Sequence, residues 1–145
     1  MSFLLGPQIG RKEVFGMRLA GFFREIQTFT DGESILSSLD ALPLPMRSLA
    51  AGYLRNGYRV VESLGALADD MVDPSIRKIG RKAVFTDGTW CWPYVLAYYV
   101  EKYGVRLPQE FVEFMVANSW RPPSVSKEQR SAILREFGDA FLKNP

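Results

Sequence analysis

The chain has 145 residues, 47% of them apolar, with 18 basic against 16 acidic side chains, one cysteine and no histidine. That length suits a single domain over residues 1–145 able to bury its own core, and the near balance of charge gives no whole-molecule pull toward nucleic acid or an anionic membrane. Without imidazole there is no Ser-His-Asp triad, Cys-His dyad or His-ligated metal, and the lone Cys91 forbids an internal disulfide, a CxxC redox pair and a thiolate zinc site.

Met1 to Pro7 lacks the basic flank and length of a secretory signal, and no apolar run reaches the roughly 18 residues of a membrane span; the expectation is a cytoplasmic protein. Over residues 11–27, Phe15, Leu19, Phe22, Phe23 and Ile26 recur at helical spacing and predict an amphipathic helix. Asp31-Gly32 breaks it, and Ser34–Leu42 reads as a short helix ahead of Pro43. Pro45 suits the first turn of a helix over Met46–Arg55 that Asn56-Gly57 stops. Tyr58–Glu62 alternates and predicts a strand, with a loop over 63–75. Ala83–Thr86 and Thr89–Trp92 flank Asp87-Gly88, which predicts a hairpin closed by a two-residue type I′ turn.

Pro93 then opens a predicted helix through Tyr103 that Gly104 closes, and Pro108 starts another with Phe111, Phe114 and Met115 on one face. Arg121-Pro-Pro123 reads as a rigid linker. Ser126-Lys-Glu-Gln129 is a capping box for a last helix with Ile133, Leu134, Phe137 and Phe141 inward. The fold class is α+β: five or six helices around a small antiparallel sheet containing the 83–92 hairpin. One echo, Ile9-Gly-Arg-Lys-Glu-Val-Phe15 against Ile79-Gly-Arg-Lys-Ala-Val-Phe85, ends abruptly on both sides and reads as coincidence rather than duplication.

Four features invite a chemical reading. Asp69, Asp70 and Asp73 have the DDxxD spacing that holds Mg²⁺ against a diphosphate in prenyl-transfer enzymes. Here, however, the motif runs into Pro74 between two strands, where a solvated acidic loop is the simpler account. Arg77-Lys78 and Arg81-Lys82 precede Trp90 and Trp92, a combination that binds single strands by phosphate contact and stacking. The two tryptophans share one face of their strand, so a helix packed there makes them core, the preferred reading for at least one. Tyr99 and Tyr103 form one helical stripe and Tyr94 and Tyr98 a second, of which one is expected buried and the other open to a partner. Cys91, with no basic neighbour in sequence, reads as a half-buried structural thiol. Gly6–Gly10 and Asn56-Gly57 are turns rather than phosphate loops.

The stretch 53–111 resembles a class of small bacterial proteins. The resemblance rests on Tyr53-Leu-Arg-Asn-Gly57, Asp70 to Pro74, and Thr86-Asp-Gly-Thr-Trp-Cys-Trp-Pro93. It continues through Leu96-Ala-Tyr-Tyr-Val-Glu-Lys-Tyr103, Leu107-Pro108 and Glu110-Phe111. Cys91 departs from the pattern, and segments 1–52 and 112–145 lie outside it. The class resembles the immunity partners encoded beside polymorphic and type VI-secreted toxins. The resemblance implies a protein that binds one cognate toxin about one to one and covers its active or substrate site, or locks it inactive. Immunity proteins against nucleases are often strongly acidic; this chain is not, and only the Asp69/Asp70/Asp73 loop offers such mimicry locally.

The expectation is therefore an antitoxin without catalytic residues, cofactor or metal, using Asp69, Asp70 and Asp73 for charge and Tyr94, Tyr98 and Trp120 as anchors. Asp87, Gly88, Trp90, Trp92 and Pro93 are assigned to structure. A single-stranded nucleic-acid binder built on the basic hairpin ranks second, and a metal-dependent enzyme built on the three aspartates third. No membrane partner is expected, and a homodimer is left open.

Overall fold

The computed structural model describes residues 13–14, 17–26 and 32–135. Its elements are β1 (Glu13–Val14), β2 (Met17–Leu19), a 3-10 turn (Ile35–Ser38), α1 (Leu44–Arg55), β3 (Tyr58–Ala68), β4 (Gly80–Thr86), β5 (Trp90–Pro93), α2 (Leu96–Tyr103), α3 (Gln109–Ala117) and α4 (Lys127–Ile133). The five strands form one sheet in the order β1-β2-β5-β4-β3. The α+β class holds, with four α-helices among the described residues rather than five or six. The sheet is mixed rather than antiparallel, because β2 lies parallel to β5, with Arg18 beside Trp90 and Leu19 beside Cys91.

Within the predicted helix over 11–27, the described residues form β1, β2 and an irregular stretch over 20–26, and Phe15 lies outside the described residues. The reason lies in Phe22 and Phe23, which are both buried but in different clusters. A helix would turn two consecutive side chains only about 100° apart, whereas extended backbone sends them to opposite sides. The Ser34–Leu42 helix shrinks to a single 3-10 turn capped by the Ser34 hydroxyl. Of the two echoed segments, 79–85 lies mostly in β4 and only Glu13-Val14 of the other is described, as strand.

Alternation along β4 and β5 sorts the apolar side chains onto two faces. Ala83, Phe85, Trp90 and Trp92 meet Tyr53 and Leu54 of α1, Leu96 and Val100 of α2, and Phe111 and Met115 of α3. Val84 and Cys91 face the other way, toward Met17, Leu19, Phe22 and Ile133 of α4. Phe111 is the hub of the first face: Trp90 stacks on it at 4.6 Å, Trp92 lies at 5.5 Å and Tyr53 meets it edge-on at 6.0 Å. Removing such a buried ring costs about 3–5 kcal/mol. Trp92 donates its indole N–H to the Leu54 carbonyl at 3.1 Å, so its one polar atom is satisfied. Gly57 is required there, since a Cβ would sit 2.6 Å from the Trp92 ring.

Several boundaries move. α1 begins at Leu44 with Pro43 as cap, and Pro45 sits inside its first turn. β3 runs on to Ala68 instead of ending at Glu62, broken by irregular register between Arg59 and Val61 and between Ser63 and Ala68. Pro93 is the buried last residue of β5, paired with Val84, not the start of a helix. Tyr94 still bonds Ala83 through its N–H, so the chain leaves the sheet only afterwards. Gly104 closes α2 in the left-handed conformation, at φ 60°, as a glycine after a helix does. The Ser126/Gln129 capping box is present and Ile133 is buried, but Leu134 is exposed. Phe137 and Phe141 lie outside the described residues.

Candidate functional site

The Asp87-Gly88 hairpin forms, but not by a type I′ turn. Gly88 has φ 98° while Asp87 does not enter the positive region, and Thr86 pairs with Cys91, leaving a four-residue loop. The Asp87 carboxylate builds that loop. It accepts the N–H groups of Thr89 at 2.9 Å and Trp90 at 2.7 Å and the Tyr53 hydroxyl at 2.6 Å. Thr86 adds its hydroxyl to the Trp90 carbonyl and receives the Gly88 N–H. Asp87, Trp90 and Trp92 are thus buried, and Asp87 and Gly88 hold the hairpin loop closed.

A second aspartate-centred cluster lies where β3 turns toward β4. Asp70 is buried and accepts the N–H groups of Val72 (2.8 Å) and Asp73 (2.9 Å). Tyr98 and Tyr103 of α2 both donate to its Oδ2 at 2.7 Å. Tyr99 lies between them, accepting the Met71 N–H at 2.9 Å and donating to the Asp69 carbonyl at 3.4 Å. The two tyrosine stripes therefore do not divide into one buried and one open. Tyr98, Tyr99 and Tyr103 converge on one loop, and the Tyr98 hydroxyl is committed inward instead of being offered to a partner.

Electrostatics follow this geometry. Burial opposes ionisation of Asp70, but the Asp73 N–H, the two phenols and the Val72 N–H outweigh it and hold the carboxyl below its ordinary range. Burial, then the neighbouring carboxylate, raises the phenols: Tyr98 well above its usual value, Tyr103 to about 12. Tyr99 rises to about 12, chiefly through burial. Phenols held neutral in this way are donors, not nucleophiles.

Asp69 accepts the Lys78 N–H and the Arg77 guanidinium, both at 2.9 Å, which together keep it ionised below the usual carboxylate range. Asp73 accepts the Ser75 N–H and hydroxyl. The three carboxylates of the DDxxD spacing thus close separate local bonds, and among the described residues no three acidic or thiol groups gather to hold an ion. The motif builds its loop: Asp70 is buried and so is no surface charge, which corrects that part of the expectation, whereas Asp69 is half-covered and Asp73 is exposed.

The remaining anchors fare differently. Tyr94 is half-buried, its ring 4.8 Å from Phe85 with the Arg81 guanidinium 5.1 Å over it. Trp120 is partly buried against the main core, at φ 60° directly after Ser119 at φ 56°, and its N–H reaches the Met115 carbonyl at 2.8 Å. It is a helix-end plug more than a free anchor. Trp90 and Trp92 are buried, so neither can stack a base; Arg18 lies 4.3 Å over Trp90. Cys91 is fully buried rather than half-buried, and burial first of all pushes its thiol up to about 12.

What the sequence reading missed is apolar. Between Ser63, opposite Lys82, and Ala68, opposite Gly80, residues 64–67 bulge from the sheet edge, and Leu64 is 90% exposed. Leu67 and Met71 are exposed beside it in sequence and line, with Arg81 and Lys82, a cleft of about 330 Å³ floored by Ala83 and Val95. The signal was present: Leu64-Gly-Ala-Leu67 has no polar residue, in a segment read as loop. No helix among the described residues is long and apolar enough to cross a membrane. No known protein family, curated protein or solved structure matches the chain.

Proposed function

We propose that the protein works by binding another protein, as an immunity partner that takes one cognate secreted toxin about one to one in the cytoplasm and neutralises it. The observation that carries this reading is the fastening of the 69–78 loop. Asp69, Asp70 and Asp73 are all engaged in shaping it, three tyrosines of α2 clamp it, Val72 packs on the core, and Met71, Pro74, Ser75, Arg77 and Lys78 are left exposed. A loop ordered before binding loses little entropy when a partner arrives, which is what tight and selective protein recognition needs. The motif resemblance over 53–111 supports the same reading.

The test is co-expression with the product of the neighbouring open reading frame. The expected results are recovery of a one-to-one complex and survival of cells that the neighbour alone would kill. No complex together with no rescue would overturn the proposal. The nucleic-acid alternative has lost its stacking platform, since both hairpin tryptophans are inside the core.

A further inference from the structure

Resting on that reading, we propose that the outer end of the β3–β4 hairpin is the docking face, and that it takes an acidic, apolar-anchored segment of the protein partner. The argument starts from which charges face out. Of the acids in this region, Asp70 is 1% exposed, Glu62 is mostly covered and paired with Arg59 and Arg81, Asp69 is bonded to Arg77, Glu25 at the cleft wall is mostly covered and bonded to Ser34 and the Ile35 N–H, and Asp73 is exposed. The bases are more open. Arg77 and Arg81 keep much of their side chains in solvent, and Lys78 and Lys82 are exposed with no ion-pair partner among the described residues. Four exposed cations, Arg77, Lys78, Arg81 and Lys82, thus stand against one exposed carboxylate, Asp73, and the half-covered Asp69.

Apolar groups stand among these cations. Leu64 projects from the bulge on the edge strand, and Leu67 and Met71 rim the cleft that Arg81 and Lys82 also line. An edge strand leaves one side of its backbone unpaired, and exposed leucine there is a liability unless something covers it. An apolar side chain entering the cleft would bring a neighbouring carboxylate within reach of Lys82 or Arg81. That is the arrangement of an interface anchor with a charged rim. The same cations would attract a phosphate backbone, but nucleic acid has no use for Leu64 and Leu67 and finds neither hairpin tryptophan exposed. The chemistry favours protein.

Two independent arms test this. In the first, a random twelve-residue peptide display library is panned on the immobilised full chain. Enriched peptides are expected to carry Asp or Glu next to Leu, Ile, Val or Phe, and to lose about tenfold or more in affinity against Lys82→Glu or Leu64→Ser. Enrichment of neutral or basic peptides, retention on the variants, or no enrichment overturns the inference whatever the toxin does. In the second, the same variants meet the neighbouring gene's product. Wild-type binding that both variants keep overturns the inference while the immunity reading stands. Failure of wild type to bind, with acidic peptides still selected at this face, overturns the immunity reading alone. A dT20 oligonucleotide that binds here and weakens steeply with salt would overturn the protein assignment. Both side chains are exposed, so unfolding midpoints close to that of wild type are expected and check that the variants fold.

Discussion

Two turns in this molecule are built alike and used differently. At Asp87 a carboxylate takes the N–H groups two and three residues ahead and is closed by a phenol from α1, Tyr53. At Asp70 a carboxylate does the same and is closed by two phenols from α2, Tyr98 and Tyr103. The Asp87 turn positions Trp90 and Trp92, which are core. The Asp70 turn positions Met71, Asp73 and Lys78, which are surface. The same local bonding can thus serve folding or display, and the burial of the residues next along the chain tells the two apart.

The largest effect should come from breaking the inner turn. Asp87→Ala leaves a buried phenol and two N–H groups without an acceptor and is expected to cost about 4 kcal/mol, read as a lowered urea midpoint in tryptophan fluorescence. A loss under about 1 kcal/mol would refute the equivalence of the two turns, because the hairpin would then stand without its carboxylate. Asp70→Ala should cost about 2 kcal/mol and act locally. Amide exchange should quicken over Met71–Lys78 while the Trp90 and Cys91 amides keep their protection.

Single phenols separate the turns further. Tyr53→Phe is expected to cost about 2 kcal/mol and Tyr103→Phe about 1, since Tyr98 still reaches the same oxygen of Asp70. The smallest effect is in titration. Tyr99 and Tyr103 have folded pKa values of about 12, above the unfolded value near ~10. Their contribution to stability is complete below pH ~10 and is lost as pH rises toward 12. Absorbance at 295 nm near pH 10.5 should therefore show fewer ionised phenols in the folded chain than in the same chain unfolded in denaturant at that pH. Asp70 has the opposite sign. Its lowered pKa gives stability above the ordinary carboxylate range that fades only as pH falls through the folded value.

Elements whose signals are local were legible in the sequence. The Ser126/Gln129 box, Gly104 as a stop, the proline-led start of α1 and the existence of the 83–92 hairpin depend on neighbours within a few residues. The failures share a physical cause. Residues 17–26 carry a helix-like period because two separate clusters each claim part of it, and no window of sequence reveals that a strand parallel to β5 is needed. The candidate site failed in the same manner. Asp69, Asp70 and Asp73 are visible as acids, but whether an acid faces water or a tyrosine 28 residues later is decided by tertiary packing. Nothing local marks Leu64 as exposed, because exposure itself is tertiary.

Cys91 has a practical consequence. It lies at the strand position between the two tryptophans, turned to the opposite side of the sheet among Met17, Leu19 and Ile133. A thiol-specific reagent reaches it only when that side lifts away, whereas indole emission reports on the α1–α3 side. One chain therefore carries two native gauges, one for each layer flanking the sheet. Comparing alkylation rate with emission change shows whether the layers separate together or in turn.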